Sequence, residues 1–232
     1  MRYRVLLYRA ARWRVLGLLA GLGYQAAAQS QVSPATKARG LALKAELTPV
    51  LAGGYHLSLE KAWGTSFRHS FSLTPQLYGG PVGELTSTLS EGGHDRVRGF
   101  GFAGQYRHYL NPQPQPLAGV YVAGGPHYQR FRLTFQAREW QAEPGPNGLA
   151  YYEYRLRDQV ETITRFGAAV VVGKQVFLGE SPVFLDLYFG MGWRTTRTTT
   201  SAPTAGRYAS GLSDYGHAGF YLPAGVKLGV AW

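Results

Sequence analysis

The sequence predicts an all-β chain, folded as an eight-stranded antiparallel up-and-down transmembrane β-barrel with meander topology. Three observations predict it. Apolar residues alternate with small or polar ones at period two in segment after segment, and no 3.6-residue period appears. The 232 residues are only 16% charged yet 14% aromatic, with 31 Gly, a composition suited to an outer surface in contact with lipid. Finally, the connections alternate between short turns and long polar stretches, as they do in outer-membrane barrels with short periplasmic turns.

The elements follow in order. Residues 1–28 carry Arg2, Arg4, Arg9, Arg12 and Arg14 and no acid, then the apolar run Val15–Tyr24, then Ala26-Ala27-Ala28. A basic start, an apolar stretch of about ten residues and an A-x-A site predict a secretory signal peptide cleaved after Ala28. The apolar run falls short of the roughly 20 residues that a spanning helix needs. Residues 29–40 are small and polar and read as a flexible leader, which leaves 41–232 as the barrel.

Eight strands are read from the alternation. In the first, Leu41, Leu43, Ala45 and Leu47 oppose Lys44, Glu46 and Thr48. In the second, Tyr55, Leu57, Leu59 and Trp63 oppose His56, Ser58, Glu60 and Ala62. The third sets Phe67, His69, Phe71, Leu73 and Leu77 against Arg68, Ser70, Ser72, Thr74 and Gln76. The fourth sets Phe100, Phe102, Tyr106 and Leu110 against Gly99, Gly101, Ala103, Gln105 and Arg107. Val120, Val122 and Tyr128 mark the fifth, and Phe166, Ala168, Val170, Val172, Val176 and Leu178 the sixth. The seventh carries Val183, Leu185, Leu187, Phe189, Met191 and Trp193, and the eighth runs from Phe220 to Trp232 without a break in phase. Short turns lie at 64–66, 111–116 and 179–182. Longer stretches lie near 79–96, 139–150 and 198–216, while the 1–2 connection through Pro49 and Gly53-Gly54 is tight.

The formal charge of +11 first suggests nucleic acid. Removing the five signal-peptide arginines leaves 19 basic and 13 acidic residues, a net of +6, on a secreted chain. No basic patch remains that calls for a nucleic-acid partner. With no cysteine, disulfides, thiolate metal sites and a Cys nucleophile are excluded.

A soluble lipocalin-like barrel is the competing architecture, with its polar face in water. That face would be rich in Lys, Glu and Thr. Here it is mostly Gly, Ala, Ser and Gln with isolated charges: Lys44, Glu46, Glu60, Arg68, Arg107, Arg165, Asp186, Arg194 and Lys227. Small residues with a few charges suit the crowded interior of an eight-stranded barrel, where opposite charges pair as a polar network. Aromatics near strand ends read as interfacial girdles: Trp63, Phe67, Phe177 and Trp232 at one rim, Tyr78, Tyr128 and Trp193 at the other.

The hairpin Gly99-Phe-Gly-Phe-Ala-Gly-Gln-Tyr-Arg-His-Tyr-Leu110, its Pro-rich turn and Leu117-Ala-Gly-Val-Tyr-Val-Ala-Gly-Gly-Pro-His-Tyr128 resemble the small, uncharacterised outer-membrane β-barrel proteins of Gram-negative bacteria. The end, Gly225-Val-Lys-Leu-Gly-Val-Ala-Trp232, is similar to their C-terminal strand. The resemblance implies an outer-membrane location, a setting of membrane lipid and lipopolysaccharide, and assembly by the barrel-assembly machinery. It makes Trp232 the assembly signal, where Phe is usual.

Three constellations bear on function. The alternation continues past the spanning length into a β-ribbon at about 129–165, with Phe131, Leu133 and Phe135 on one strand and Tyr152, Tyr154 and Leu156 on the other. A phase shift near 128–131 reads as a β-bulge or as the exit from the bilayer. The ribbon fits contact with an extracellular protein or glycan, or support for a loop under lipopolysaccharide. His56, Ser58 and Glu60 share a strand face as an acid–base–nucleophile set would, but that face is the lumen, where they read as polar network. The six histidines, His56, His69, His94, His108, His127 and His217, have no metal-ligand spacing, and the Gly pairs lack the helix and Lys of phosphate loops. The expectation is a non-enzymatic barrel without cofactor or metal, in a structural or surface-interaction role. A narrow channel for water, ions or very small solutes and a lipid-modifying enzyme are the alternatives.

Overall fold

The computed structural model describes residues 40–64, 67–82, 95–110, 115–145, 149–201, 207–209 and 211–232. The signal peptide, most of the leader, His94 and most of the 3–4 connection lie outside the described residues. Among the described residues nine strands form one antiparallel sheet: β1 (Leu41–Glu46), β2 (Gly54–Trp63), β3 (His69–Pro81), β4 (Arg96–Tyr109), β5 (Gly119–Pro144), β6 (Ala150–Phe177), β7 (Val183–Thr200), β8 (Gly219–Tyr221) and β9 (Ala224–Ala231). Each strand from β1 to β7 pairs with the next, and β9 pairs with both β7 and β1. The pairings therefore return on themselves as a ring. The start of β1 meets Trp232 in it, with Leu41 and Trp232 exchanging backbone hydrogen bonds of 3.1 and 2.9 Å.

The predicted eighth strand is two strands in line. β8 pairs with Gly192–Arg194 and β9 with Val183–Phe189 of the same β7 edge. The interruption falls at Leu222-Pro223, where proline has no N–H to give the ladder. The tight 1–2 connection contains a single 3₁₀ turn, Pro49–Ala52, closed by Gly53 at φ 72°.

The alternation sets two faces. Pointing out are Leu43, Leu57, Leu59, Phe71, Leu73, Phe102, Val170, Val172, Phe189, Met191, Leu228 and Val230, large apolar side chains that are all exposed. Pointing in at the same levels are Lys44, Ser58, Glu60, Ser70, Ser72, Thr74, Arg107, Gln175 and Asp186, all buried. Hydrophobic outside and polar inside is the reverse of a water-soluble domain.

Toward the loop end the two faces exchange chemistry. On β4 to β7 the outward residues become Arg96, Arg98, Arg130, Arg132, Thr162, Thr164, Thr195 and Arg197. The inward ones become Val97, Phe131, Leu133, Phe135 and Ile163, which with Tyr208 and Tyr215 make an apolar core. No bulge accompanies the switch, because β5 and β6 pair without a skipped residue from Gly119↔Gln175 to Pro144↔Ala150. The apparent phase shift near 128–131 is thus a change of environment along a continuous strand. The same pairing replaces the loop expected at 139–150 with a hairpin whose connection is only 145–149. From Tyr128 to Pro144 the ribbon extends about 50 Å along the strand at the usual rise per residue.

Three girdle assignments are corrected by the structure. Tyr78 points inward and packs on Phe131 with ring centroids 4.8 Å apart. Phe177 packs inward on Phe184 at 5.1 Å, and Phe67 also lies against the inner core at the turn end. Trp63, Tyr128, Trp193 and Trp232 do face out. His69, Tyr106 and His108 join Trp63 at its rim in one ring cluster, with Tyr106 Oη 2.7 Å from His69 Nδ1.

Candidate functional site

The lumen is built in layers, each from the inward residues of successive strands. An apolar floor at the turn end holds Tyr109, Leu117, Tyr121, Val171 and Phe184. Above it four charges meet: Lys44 from β1, Glu60 from β2, Arg107 from β4 and Asp186 from β7. Their side chains are 0 or 1% accessible. Lys44 Nζ lies 2.9 Å from Asp186 Oδ2 and also contacts Glu60, while Arg107 Nη1 lies 2.8 Å from Asp186 and 3.4 Å from Glu60. Tyr121 donates to Asp186 at 2.6 Å and Tyr109 to Glu60 at 2.9 Å, and Gln175 accepts from Arg107 at 3.2 Å. Two cations and two carboxylates balance, which is what makes burial of each tolerable.

The next layer is a cavity of about 410 Å³. A polar chain runs along its wall. His56 Nδ1 lies 2.9 Å from Glu46, His56 Nε2 lies 2.9 Å from Tyr78 Oη, Gln129 donates to Tyr78 Oη at 2.6 Å, and Arg165 donates to Gln129. Arg165 stacks 4.8 Å over Phe131 and reaches the Tyr215 carbonyl at 3.4 Å. Arg194 donates to the carbonyls of His217 at 2.9 Å and Leu212 at 3.1 Å, and sits 4.8 Å over Tyr221. Lys227 Nζ lies 5.1 Å from the Tyr188 ring, and Tyr188 donates to Glu46. Ser213 and Tyr215 line the cavity, and Tyr215 also joins Tyr208 in the loop-end core. Burial, and next the Asp95 carboxylate 3.0 Å away, push the Tyr208 phenol well above its ordinary pKa.

Eight of the nine network residues of the sequence reading therefore face the lumen, in two groups. Lys44, Glu60, Arg107 and Asp186 form the quartet, while Glu46, Arg165, Arg194 and Lys227 line the cavity. Arg68 joins neither. It is exposed, one residue before β3 begins and one after Phe67, whose φ of 47° interrupts the extended backbone. His56, Ser58 and Glu60 share the inward face but bond different groups, Ser58 pairing with Thr74 at 2.8 Å. Gln129, Tyr215 and Tyr221, which the sequence does not single out, complete the cavity together with Tyr78, a residue the sequence assigns to a girdle. The inward parity of Gln129 was the available signal. Among the described residues no group of three or more His, Asp or Glu is placed to hold a metal ion.

No family model matches the chain, and no curated protein matches it as a relative. Among solved structures, the crystal structure of the β domain of the Bordetella autotransporter BrkA is similar over 84% of this chain and 99% of that one, at 10% identity and a TM-score of 0.31. An overlap at that score adds nothing to what the strand pairings themselves establish.

Proposed function

We propose that the chain is an eight-stranded outer-membrane β-barrel with a side-chain-filled lumen, whose loop end and projecting ribbon do structural or surface-contact work. The observation that carries this reading is the exchange of chemistry at one level of the wall. Below it the outward face is apolar and the inward face polar. Above it Arg and Thr face out and Phe, Leu and Ile face in. A bilayer edge at that level accounts for both halves, since lipid requires an apolar exterior and a closed ladder, and water requires the opposite.

The residues at the edge support a lipopolysaccharide setting. Arg98 and Arg132 stand directly opposite one another on β4 and β5, flanked by Arg96 and Arg130. Like charges so placed repel unless anions lie between them, and the phosphates of an outer leaflet supply such anions. Farther out, Trp140 and Tyr154 pair at 5.0 Å on the exposed ribbon and offer an aromatic surface to a protein or glycan. The buried quartet across the lumen argues against the channel alternative, because its side chains fill the cross-section.

Planar-bilayer recording tests the reading. The expected result is an absence of steady single-channel openings. Openings that vanish in Asp186→Ala would overturn it in favour of a pore. The lipid A mass spectrum of a deletion strain is expected to match the parent, and a lost lipid A modification would favour an enzyme.

A further inference from the structure

The wall beside the cavity has a seam. β1 ends at Glu46, whose partner is Lys227, and one more rung follows in Leu47 N–H to Val226 O at 2.9 Å. Beyond it β8 pairs with β7 alone, and the other side of the seam is the Pro49–Ala52 turn. Pro49 and Pro223 flank this break, and neither has an N–H to orphan where the ladder is open. Pro49, Ala52, Leu222 and Pro223 line the cavity, so the chamber reaches the wall here. The outer lips are apolar, with Leu51 76% and Leu222 59% exposed and Val50 and Phe220 beside them. Phe220 pairs with Trp193, the last apolar outward residue of β7 before Thr195 and Arg197. The seam thus lies at the upper part of the apolar belt.

Inside, the chamber carries an excess of positive charge. Arg165, Arg194 and Lys227 line it, and among the described residues no carboxylate lies within 4.0 Å of any of the three. Glu46, the carboxylate of the lining, bonds His56 and Tyr188 and offsets its cross-strand partner Lys227, so the excess positive charge is that of Arg165 and Arg194. Both guanidiniums are held by neutral acceptors that use only part of their five donors. Fixed arginines with donors to spare, beside the buried Lys227, match a phosphate or carboxylate. A volume near 410 Å³ lies in the usual range for a small-molecule site and fits a head group rather than a whole lipid.

We propose that the chamber binds the anionic head group of an amphiphile, a phosphate or carboxylate held by Arg165, Arg194 and Lys227, with its acyl chain leaving through the seam between Pro49–Ala52 and Leu222-Pro223. The proposal rests on the membrane-barrel reading. The test is calorimetry on the full chain in non-ionic maltoside micelles, with dodecyl phosphate, dodecanoate, dodecyltrimethylammonium and inorganic phosphate as probes. One dodecyl phosphate or dodecanoate binds per chain, and the tighter of the two identifies the head group. The trimethylammonium probe and inorganic phosphate bind at least tenfold more weakly. Arg165→Gln with Arg194→Gln lowers the anionic affinity at least tenfold, and Ala52→Trp, which fills the inner mouth of the seam, does the same. Equal binding of anionic and cationic probes overturns the proposal, as does wild-type affinity in the double variant. Where a variant loses the compact unheated gel band that reports a folded barrel, the head-group comparison on the unaltered chain decides alone. An unaltered chain with that band but no selectivity refutes this proposal only. An unaltered chain without it refutes the barrel reading, and the proposal with it.

Discussion

Replacing Asp186 with Asn keeps the shape of the side chain and removes one of the two carboxylates in the buried quartet. Asp186 accepts from Lys44 at 2.9 Å, Arg107 at 2.8 Å and Tyr121 at 2.6 Å. The substitution leaves Lys44 and Arg107 sharing Glu60 alone, a net positive charge in a site with no solvent access. Breaking a buried pair from one side costs about 3–5 kcal/mol, a large part of the stability of an ordinary domain. Urea unfolding in lipid vesicles, followed by tryptophan fluorescence, measures it as a lower midpoint at unchanged slope. Adding Arg107→Met restores the balance, with Lys44 facing Glu60, so the double variant is more stable than the two single losses predict by about 2 kcal/mol. A loss below about 0.5 kcal/mol for Asp186→Asn, or strict additivity in the cycle, refutes the quartet as the tie across the lumen.

Leu59→Arg on the outward face of β2 is expected to cost about 2–4 kcal/mol in vesicles, as Arg does at mid-bilayer, whereas a water-facing site would lose under about 0.5 kcal/mol. The same urea titration distinguishes them. Gly125→Ala sets a Cβ 1.9 Å from the Gly104 carbonyl oxygen on the neighbouring strand, so it depletes the compact unheated gel band. Gly79→Ala, with nothing within 4 Å, leaves that band intact. The raised Tyr208 phenol makes its share of stability complete below pH of about 10, the ordinary tyrosine value, and lost as pH rises beyond it. Near-ultraviolet circular dichroism is expected to report loosening of the loop-end core above that pH, and Tyr208→Phe to remove this alkaline step.

Most of the strands were legible because each has one apolar face, and period two survives any tilt of the strand. Where the reading failed, it failed for identifiable reasons. At 128–131 hydrophobicity changes face while the backbone keeps its register, so of the two readings of that phase shift, a bulge or the exit from the bilayer, the pairing of β5 removes the bulge. At 222–223 the opposite happened, since Phe220, Leu222 and Ala224 stay in phase across a broken ladder and only Pro223 hints at the gap. Tyr78 was read as a girdle residue by type, although it shares the inward parity of Gln76. Arg68 has inward parity but precedes the strand that would have turned it in. The lumen charges were legible as a set because the polar face holds few others. Their division into a neutral quartet and a cationic chamber was not, because it depends on strand stagger around the ring rather than on spacing within a strand.

The central claim is that the exposed apolar belt faces lipid, and membrane fractionation with gel mobility tests it most directly. The account predicts that the chain sediments with the outer membrane, stays there through an alkaline carbonate wash, and runs faster on SDS gels unheated than boiled. Release as a soluble protein without detergent, with the same mobility before and after boiling, would contradict it.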